Sequence, residues 1–292
     1  MESCTSVYKM IFNSKINIKI AALLELTRPF NNLILGLSIL LAIGLTGHLT
    51  FSMPVILAVF SAILIAAGGN VYNDCCDLAA DRLNKPRRPI PSGRISPRDA
   101  RLWAGILFFV GCGAAGMITL ANFFIAIMVT ASLIAYDYRY KNRPLVGNII
   151  VAFLTACAFL YAGFAVNRIT ETVVPALFSF FFHLGRELVK DAEDMEGDKT
   201  QGALTLPILY GKKTTMIAIS VIYTAVIILT WVPFYLGFYS WRYFIVLLIG
   251  VDAALLYLLY RMWRDPRTDN LGRIARYLKY DMLIGLLALY LG

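Results

Sequence analysis

The sequence predicts an all-α protein that crosses a membrane several times. Hydrophobic residues make up 59% of its 292 residues, and the mean hydropathy is +0.69. A spanning helix needs about 20 mostly apolar residues. Nine segments meet this requirement, at 22–47, 53–72, 100–118, 120–137, 145–166, 170–186, 213–235, 241–261 and 274–292.

The distribution of Lys and Arg gives these segments an orientation. Basic residues of membrane proteins gather on the cytoplasmic side. If the N-terminus is cytoplasmic, 25 of the 27 Lys and Arg residues fall in cytoplasmic segments, and only Arg168 and Arg242 lie elsewhere. We therefore expect nine transmembrane helices with a cytoplasmic N-terminus, in a multi-pass protein of the cell membrane.

The chain divides into a short N-terminal segment and one large domain. Residues 1–20 mix Ile with Lys and polar residues, a pattern typical of an interfacial helix. Residues 21–292 form a single predicted transmembrane domain with cytoplasmic cap loops at 82–99 and 199–211. The five cysteines have no paired spacing, so we expect no disulfide. No feature indicates a nucleic-acid ligand or an obligate protein partner.

Two acidic clusters end apolar segments, although carboxylates are costly at membrane depth and are usually functional there. In each cluster the helical spacing places three side chains on one face of a helix. In the first cluster, residues 73–81, these are Asn73, Asp77 and Asp81. In the second cluster, residues 191–198, they are Asp191, Asp194 and Asp198. Amide and carboxylate ligands favour Mg²⁺. Since Mg²⁺ also binds phosphate oxygens, we expect a substrate with a phosphate or diphosphate and an active site on the cytoplasmic side.

Cationic and aromatic side chains follow the first cluster and the fourth span. Arg82, Lys85 and Lys141 are the strongest candidates to neutralise a departing polyanion. Tyr138 is a candidate to hydrogen-bond a phosphate or face a carbocation, although tyrosines here are commonly interfacial. A transporter of ions or phosphate is the alternative from another class. Transporters tend to place carboxylates midway in broken helices, whereas these cluster at one face, which favours an enzyme.

One glycine-rich motif is interpreted as structural. Residues 111–116 match a dinucleotide-binding pattern by spelling, but they lie in an apolar segment with no preceding strand. We expect these small residues to allow close helix packing.

The two motifs together resemble those of the UbiA-type intramembrane prenyltransferases. The matching residues are Asn73-Asp74-x-x-Asp77-x-x-x-Asp81, continuing to Gly93, and Asp191-x-x-Asp194-x-x-Gly197-Asp198. Arg28-Pro29-Phe30-Asn31, and Lys141-x-Arg143 with Gly147-Asn148, are also similar to family patterns. The resemblance implies nine helices around a central cavity, Mg²⁺ bound between the clusters, a polyprenyl diphosphate donor and a lipophilic acceptor.

The resemblance also implies roles for particular residues. Its metal ligands would be Asn73, Asp74, Asp77, Asp81, Asp191, Asp194 and Asp198, of which Asp77, Asp81, Asp194 and Asp198 would be catalytic. Its substrate-binding residues would be Arg28, Asn31, Arg82, Lys85, Arg88, Tyr138, Lys141, Arg143 and Lys190.

The second motif narrows the acceptor. Residues 186–194 are most similar to those of archaeal digeranylgeranylglyceryl phosphate synthases, which add a second geranylgeranyl chain to geranylgeranylglyceryl phosphate in phospholipid biosynthesis. Lys190 is then a candidate contact for the acceptor phosphate. The alternative within the family is an aromatic acceptor of the 4-hydroxybenzoate, homogentisate or chlorin type.

Overall fold

The structure is a computed structural model that describes residues 18–141, 143–200 and 202–292. The secondary structure of these residues is helical, with no β-strand among them. This confirms the predicted all-α class. Residues 1–17, which make up most of the predicted interfacial segment, lie outside the described residues.

The chain folds as two compact units. The first comprises the residues up to Leu40 together with Thr50–Tyr138, and the second comprises Leu41–Leu49 with Arg139–Gly292. The helices of the first part of the chain are α1 (Ile18–Thr27), α2 (Pro29–Gly44), α3 (Met53–Cys76), α4 (Leu78–Asn84), α5 (Pro97–Gly116), α6 (Leu120–Ala135) and the π-helical turn π1 (Tyr136–Tyr140).

The break between α1 and α2 falls at Arg28. A residue that precedes proline is disfavoured in the helical conformation, and Pro29 is the first residue of α2. Arg28 accordingly leaves the helix with φ of 53°, and the two helices bend by 42°. The bend places a cationic residue at a helix junction, where its side chain reaches the acidic cluster described below.

Small residues let α3 and α5 pack closely in the first unit. A Cβ atom on Gly111 would lie 2.8 Å from Cγ1 of Ile65 and 3.2 Å from the Ile65 backbone nitrogen. Ser61 Oγ also donates to the Gly111 carbonyl at 2.8 Å. The glycine-rich motif therefore lies inside a packed helix, as predicted.

The first acidic cluster occupies a helix junction and not one continuous helix. α3 ends at Cys76 and α4 begins at Leu78, so Asp77 is the joint. Backbone hydrogen bonds between residues four apart nevertheless continue through the junction. The Asp77 amide donates to the Asn73 carbonyl at 2.9 Å, and the Asp81 amide donates to the Asp77 carbonyl at 2.8 Å. The predicted spacing is therefore kept across a break that the sequence analysis missed.

The second part of the chain is also helical. Its elements are α7 (Val146–Ala165), α8 (Ile169–Thr200), α9 (Leu206–Tyr210), α10 (Lys212–Tyr235), α11 (Trp241–Val246), the π-helical turn π2 (Leu247–Asp252), α12 (Ala253–Arg264) and α13 (Thr268–Leu291). The predicted cap loops are shorter than expected, because α4 and α5 extend into 82–99 and α9 lies within 199–211.

Helix α8 is the central element of the second unit. Leu188 and Ala192 of α8 are fully buried in a core that also contains Ile219 and Tyr223 of α10. Gly185 makes this packing possible, since a Cβ atom there would lie 2.7 Å from the Tyr223 ring. α8 continues without a break through Asp198, well beyond the apolar segment predicted at 170–186, so the second acidic cluster lies on the same helix.

Several helices are suited to a membrane. Within the described residues, six are long and apolar enough to span a bilayer, or seven if the bent pair α1–α2 counts as one span. Helices α5 and α13 occupy two further predicted segments but are not among these six. The chain therefore has the composition of a multi-pass membrane protein, and the count of nine spans stays a prediction.

Candidate active site

Two arginines bind the buried carboxylates of the first cluster. Asp74 and Asp81 are each 5% exposed. Arg88 donates to Asp74 at 3.1 Å and to Asp81 at 2.6 Å, and Arg28 also donates to Asp74. Charge-assisted hydrogen bonds of this kind hold planar groups in a fixed geometry. Arg88 thus ties the end of α3 to α4 on either side of the Asp77 joint.

Asn73 is held by a residue that the sequence analysis did not single out. Its amide nitrogen Nδ2 donates to Oδ1 of Asp137 at 2.6 Å. Its Oδ1 lies 3.5 Å from a guanidinium nitrogen of Arg28. The amide oxygen of Asn73 therefore faces the arginine and carboxylate network, while the amide nitrogen faces π1.

The other side chains predicted to serve the site in this region are exposed or partly exposed. Arg82 and Lys85 are exposed on and just after α4, and Asp77 is partly exposed between them and α3. Tyr138 is 78% exposed within π1. Asn31 is exposed in the first turn of α2. These side chains are accessible for a ligand, in contrast to the buried pair Asp74 and Asp81.

The loop between α4 and α5 is an ordered segment. Ile90 and Ile95 are buried, and Gly93 adopts φ of 76°, a conformation that glycine favours. Arg94 donates to both carboxylate oxygens of Glu25, at 2.6 and 3.0 Å. These hydrogen bonds raise the pKa of Arg94 above its ordinary value. The loop that follows the first cluster is therefore anchored to α1.

The second cluster follows one face of α8. Asp191 and Asp198 are partly exposed, and Asp194 is exposed. Asn148, near the start of α7, donates from Nδ2 to Oδ2 of Asp191 at 3.0 Å. Glu193 points elsewhere, because its carboxylate packs against Gly272 of α13. The three predicted aspartates thus share the face that their spacing predicted.

Two cations of α8 bind Glu187, which lies one turn before this cluster. Glu187 accepts from Arg186 at 3.0 Å and from Lys190 at 3.2 Å. The Lys190 side chain remains 41% exposed. Lys141 and Arg143, which precede α7, are also exposed. Lys190 is therefore a cation that is both oriented by a neighbour and accessible to a ligand.

A comparison with protein families identifies the family of this chain. A model described as the UbiA prenyltransferase family matches residues 33–279. The chain belongs to this family. The match includes both acidic clusters, so the resemblance found in the two motifs is confirmed.

Two similar proteins share one name, and each matches this chain over most of its length. A digeranylgeranylglyceryl phosphate synthase of Methanopyrus kandleri is 37% identical over 91% of this chain and 97% of its own length. A protein of the same name from Methanosphaera stadtmanae is 33% identical over 92% of this chain and 98% of its length. The relation therefore covers nearly the complete length of these relatives.

Solved structures of this family share the fold. A structure described as giving insights into digeranylgeranylglyceryl phosphate synthase in membranes has a TM-score of 0.87 and 32% identity, and it covers 94% of this chain and 98% of its own. A UbiA homologue from Archaeoglobus fulgidus, bound to GPP and Mg²⁺, has a TM-score of 0.65 at 19% identity, over 90% of this chain and 99% of its own. This second likeness concerns the fold alone.

Each of the two clusters, considered by itself, presents oxygen donors of the kind that Mg²⁺ prefers. Asp77, Asp194 and Asp198 present carboxylate oxygens that are at least partly exposed, and Asn73 turns an amide oxygen away from π1. Within the described residues, no three His, Cys, Asp or Glu side chains lie close enough to hold a metal ion by themselves. Mg²⁺ commonly keeps several waters and takes one or two carboxylates together with substrate phosphates, so this arrangement is consistent with it.

Two residues of the site escaped the sequence analysis in different ways. Asn148 was noted only as part of a family pattern, with no role. Asp137 was passed over among its tyrosine neighbours, although it is the only acidic residue between Asp99 and Glu171. A single carboxylate in such a long apolar interval is the feature that would have identified it.

Proposed function

We propose that this protein transfers a geranylgeranyl group from its diphosphate to geranylgeranylglyceryl phosphate, with Mg²⁺, in the synthesis of archaeal ether lipids. The observation that carries this proposal is the similarity to proteins named digeranylgeranylglyceryl phosphate synthase, at 37% identity over 97% of one relative. The acceptor is therefore inferred from relatives, whereas the proposed roles of individual residues rest on the site geometry.

In this proposal, carboxylate and amide oxygens of both clusters would hold Mg²⁺. Asn73, Asp77 and Asp81 contribute from the first cluster, with Asp74 beside them. Asp191, Asp194 and Asp198 contribute from the second. When bound, Mg²⁺ would supply Lewis-acid stabilisation of the charge that develops on the departing diphosphate. The structure of the UbiA homologue from Archaeoglobus fulgidus with GPP and Mg²⁺ bound supports this assignment.

The exposed cations are assigned to the two substrates. Arg82 and Lys85 bind the donor diphosphate as its allylic C–O bond breaks, because cations stabilise the charge that develops there. Arg28 and Arg88 hold the first cluster in place, since both donate to its buried carboxylates. Lys141, Arg143, Asn31 and Tyr138 complete the proposed substrate contacts.

The transfer itself forms one bond and breaks one. The allylic carbon leaves the diphosphate oxygen, and the free hydroxyl oxygen of the acceptor then bonds to that carbon. The hydroxyl proton leaves to solvent or to the released diphosphate. Lys190 binds the acceptor phosphate, because it is accessible and lies one residue before Asp191.

The proposal includes a topology. We assign nine transmembrane helices around a central cavity, formed by a single domain from residue 21 to residue 292, with the N-terminus and the active site on the cytoplasmic side. The concentration of 25 of the 27 basic residues in segments assigned to that side supports this orientation. The protein needs no obligate protein partner in this account.

Competition between acceptors tests the proposed substrate class. Purified protein receives Mg²⁺, geranylgeranyl diphosphate and equal amounts of geranylgeranylglyceryl phosphate and 4-hydroxybenzoate. We expect the digeranylgeranyl product by mass spectrometry, and no product with Asp77→Ala. Prenylation of 4-hydroxybenzoate alone would assign an aromatic acceptor. Ion flux in liposomes without any prenyl transfer would overturn the enzyme assignment.

A further inference from the structure

We propose that Asp137 is a positioning residue that fixes the side-chain amide of Asn73, so that the Asn73 oxygen faces the Mg²⁺ and diphosphate site. This inference rests on the proposed function, since it assigns Asn73 to that site. It concerns a residue outside both acidic motifs, 64 positions further along the chain.

The chemistry of the contact sets its direction. An ionised carboxylate only accepts hydrogen bonds, whereas an amide has one donating end and one accepting end. Asp137 Oδ1 lies 2.6 Å from Asn73 Nδ2, so the contact holds only when the nitrogen faces Asp137. A partner that both donates and accepts at position 137, such as an asparagine amide, would bind either end of the Asn73 amide. A carboxylate that only accepts hydrogen bonds at position 137 therefore selects one orientation of the Asn73 amide.

The opposite side of Asn73 agrees with this orientation. A guanidinium nitrogen of Arg28 lies 3.5 Å from Asn73 Oδ1 and also donates to Asp74. The backbone carbonyl of Asn73 is already used, because it accepts from the Asp77 amide at 2.9 Å. The side-chain oxygen is thus the group with which Asn73 can serve a ligand on the side of Asp74.

A local departure from α-helical geometry places Asp137. The wide turn π1 begins at Tyr136, directly after α6. A π turn adds one residue to the helical repeat, and one residue corresponds to about 100° of rotation around the axis. Such turns frequently occur at functional sites. The direction of Asp137 is therefore a product of π1 and could not be obtained from α-helical spacing.

Metal binding measured without turnover tests the positioning role. Mn²⁺ replaces Mg²⁺, inorganic diphosphate replaces the donor, and electron paramagnetic resonance follows the free Mn²⁺ in detergent. Replacing groups that orient metal ligands typically costs about 10–100-fold in metal affinity. We expect Asp137→Asn to weaken Mn²⁺ binding at least about tenfold, with a thermal unfolding midpoint like that of Asp99→Asn. Asp99 is a matched control, because it is an exposed carboxylate of the same unit.

Exchanging the amide and the carboxylate between positions 73 and 137 tests whether Mn²⁺ binding needs an oriented side chain at 73 or a carboxylate at 137. In Asn73→Asp with Asp137→Asn, the new amide donates to the new carboxylate, whose second oxygen faces the cluster. We expect this double variant to bind Mn²⁺ more tightly than Asp137→Asn alone. Binding no tighter than that single variant would overturn the positioning role.

The remaining outcomes distinguish this inference from the proposed function. Mn²⁺ binding by Asp137→Asn within twofold of the Asp99→Asn control, together with weak binding by Asn73→Ala, would overturn the role of Asp137 alone. Unchanged Mn²⁺ binding by both Asn73→Ala and Asp77→Ala would instead overturn the proposed metal site of the first cluster, and the inference with it.

Discussion

The two acidic clusters have similar spacing in the sequence but are held in different ways. In the first cluster, Asp74 and Asp81 are buried and bonded to arginines across a helix junction. In the second, the aspartates follow one continuous helix and remain at least partly exposed. The neighbouring cations of α8 bind Glu187 instead of the aspartates. The difference predicts that the first cluster contributes to folding as well as to function, whereas the second contributes mainly to function.

The largest effect is expected at the aspartates that are proposed to hold Mg²⁺. Asp77→Ala or Asp198→Ala should lower turnover about a thousandfold or more, since metal-ion stabilisation of the departing charge is worth several kcal/mol. A prenyl-transfer assay in detergent measures this loss. Asp99→Ala and Glu196→Ala are the matched controls and should retain activity. Near-normal transfer by either cluster variant would contradict the metal role.

Loss of the Arg88 guanidinium should distinguish the clusters by stability. Arg88→Met leaves the buried Asp81 without its guanidinium partner, and breaking a buried ion pair from one side is strongly destabilising. We expect the free energy of unfolding to fall by about 3 kcal/mol, the lower end of the usual cost, because the Arg88 side chain is 26% exposed. Denaturant unfolding in detergent would measure the change against Arg87→Met, an exposed neighbour. Equal stability of the two variants would show that the arginine network does not hold the first cluster.

The contact between Asn148 and Asp191 should matter for rate more than for folding. Asn148→Ala removes the donor that orients Asp191, and loss of such a contact typically costs about tenfold in activity. Asn148→Asp should be worse than Asn148→Ala, because it places a second carboxylate beside the first. Steady-state kinetics and thermal unfolding measure both effects. Equal activity of the two variants would contradict the orienting role.

The smallest effect concerns the acceptor. Lys190→Gln replaces a charge-assisted hydrogen bond to the proposed acceptor phosphate with a weaker neutral donor, at a cost of about 1 kcal/mol, or roughly fivefold in KM for that acceptor. Stability should change little, since the ion pair with Glu187 is partly exposed. Lys199→Gln, at the end of the same helix, is the control. An unchanged KM would remove Lys190 from the acceptor site.

The sequence was sufficient for features that depend on local pattern. Apolar segments predicted the helices, because a membrane-spanning helix can be recognised from the length and apolar composition of a single segment. The spacing of Asp191, Asp194 and Asp198 predicted their common face, because α8 is regular there. The helical break at Asp77 was missed, since no proline or glycine marks it in the sequence.

The partners of the site residues could not be predicted in the same way. Asn73 and Asp137 are 64 positions apart, and Asn148 and Asp191 are 43 apart. Such contacts depend on how helices pack and, for Asp137, on the π1 turn. The arginines illustrate the same limit, because the sequence did not show that Arg88, a predicted substrate-binding residue, donates to Asp74 and Asp81.

One isotope measurement tests the central claim most directly. Geranylgeranylglyceryl phosphate labelled with ¹⁸O in its free hydroxyl is incubated with the protein, Mg²⁺ and geranylgeranyl diphosphate, and the products are weighed by mass spectrometry. The account predicts a digeranylgeranyl ether that retains ¹⁸O and forms only with divalent metal, because the donor C–O bond is the one that breaks. Absence of this ether, or an ether without the label, would contradict the account.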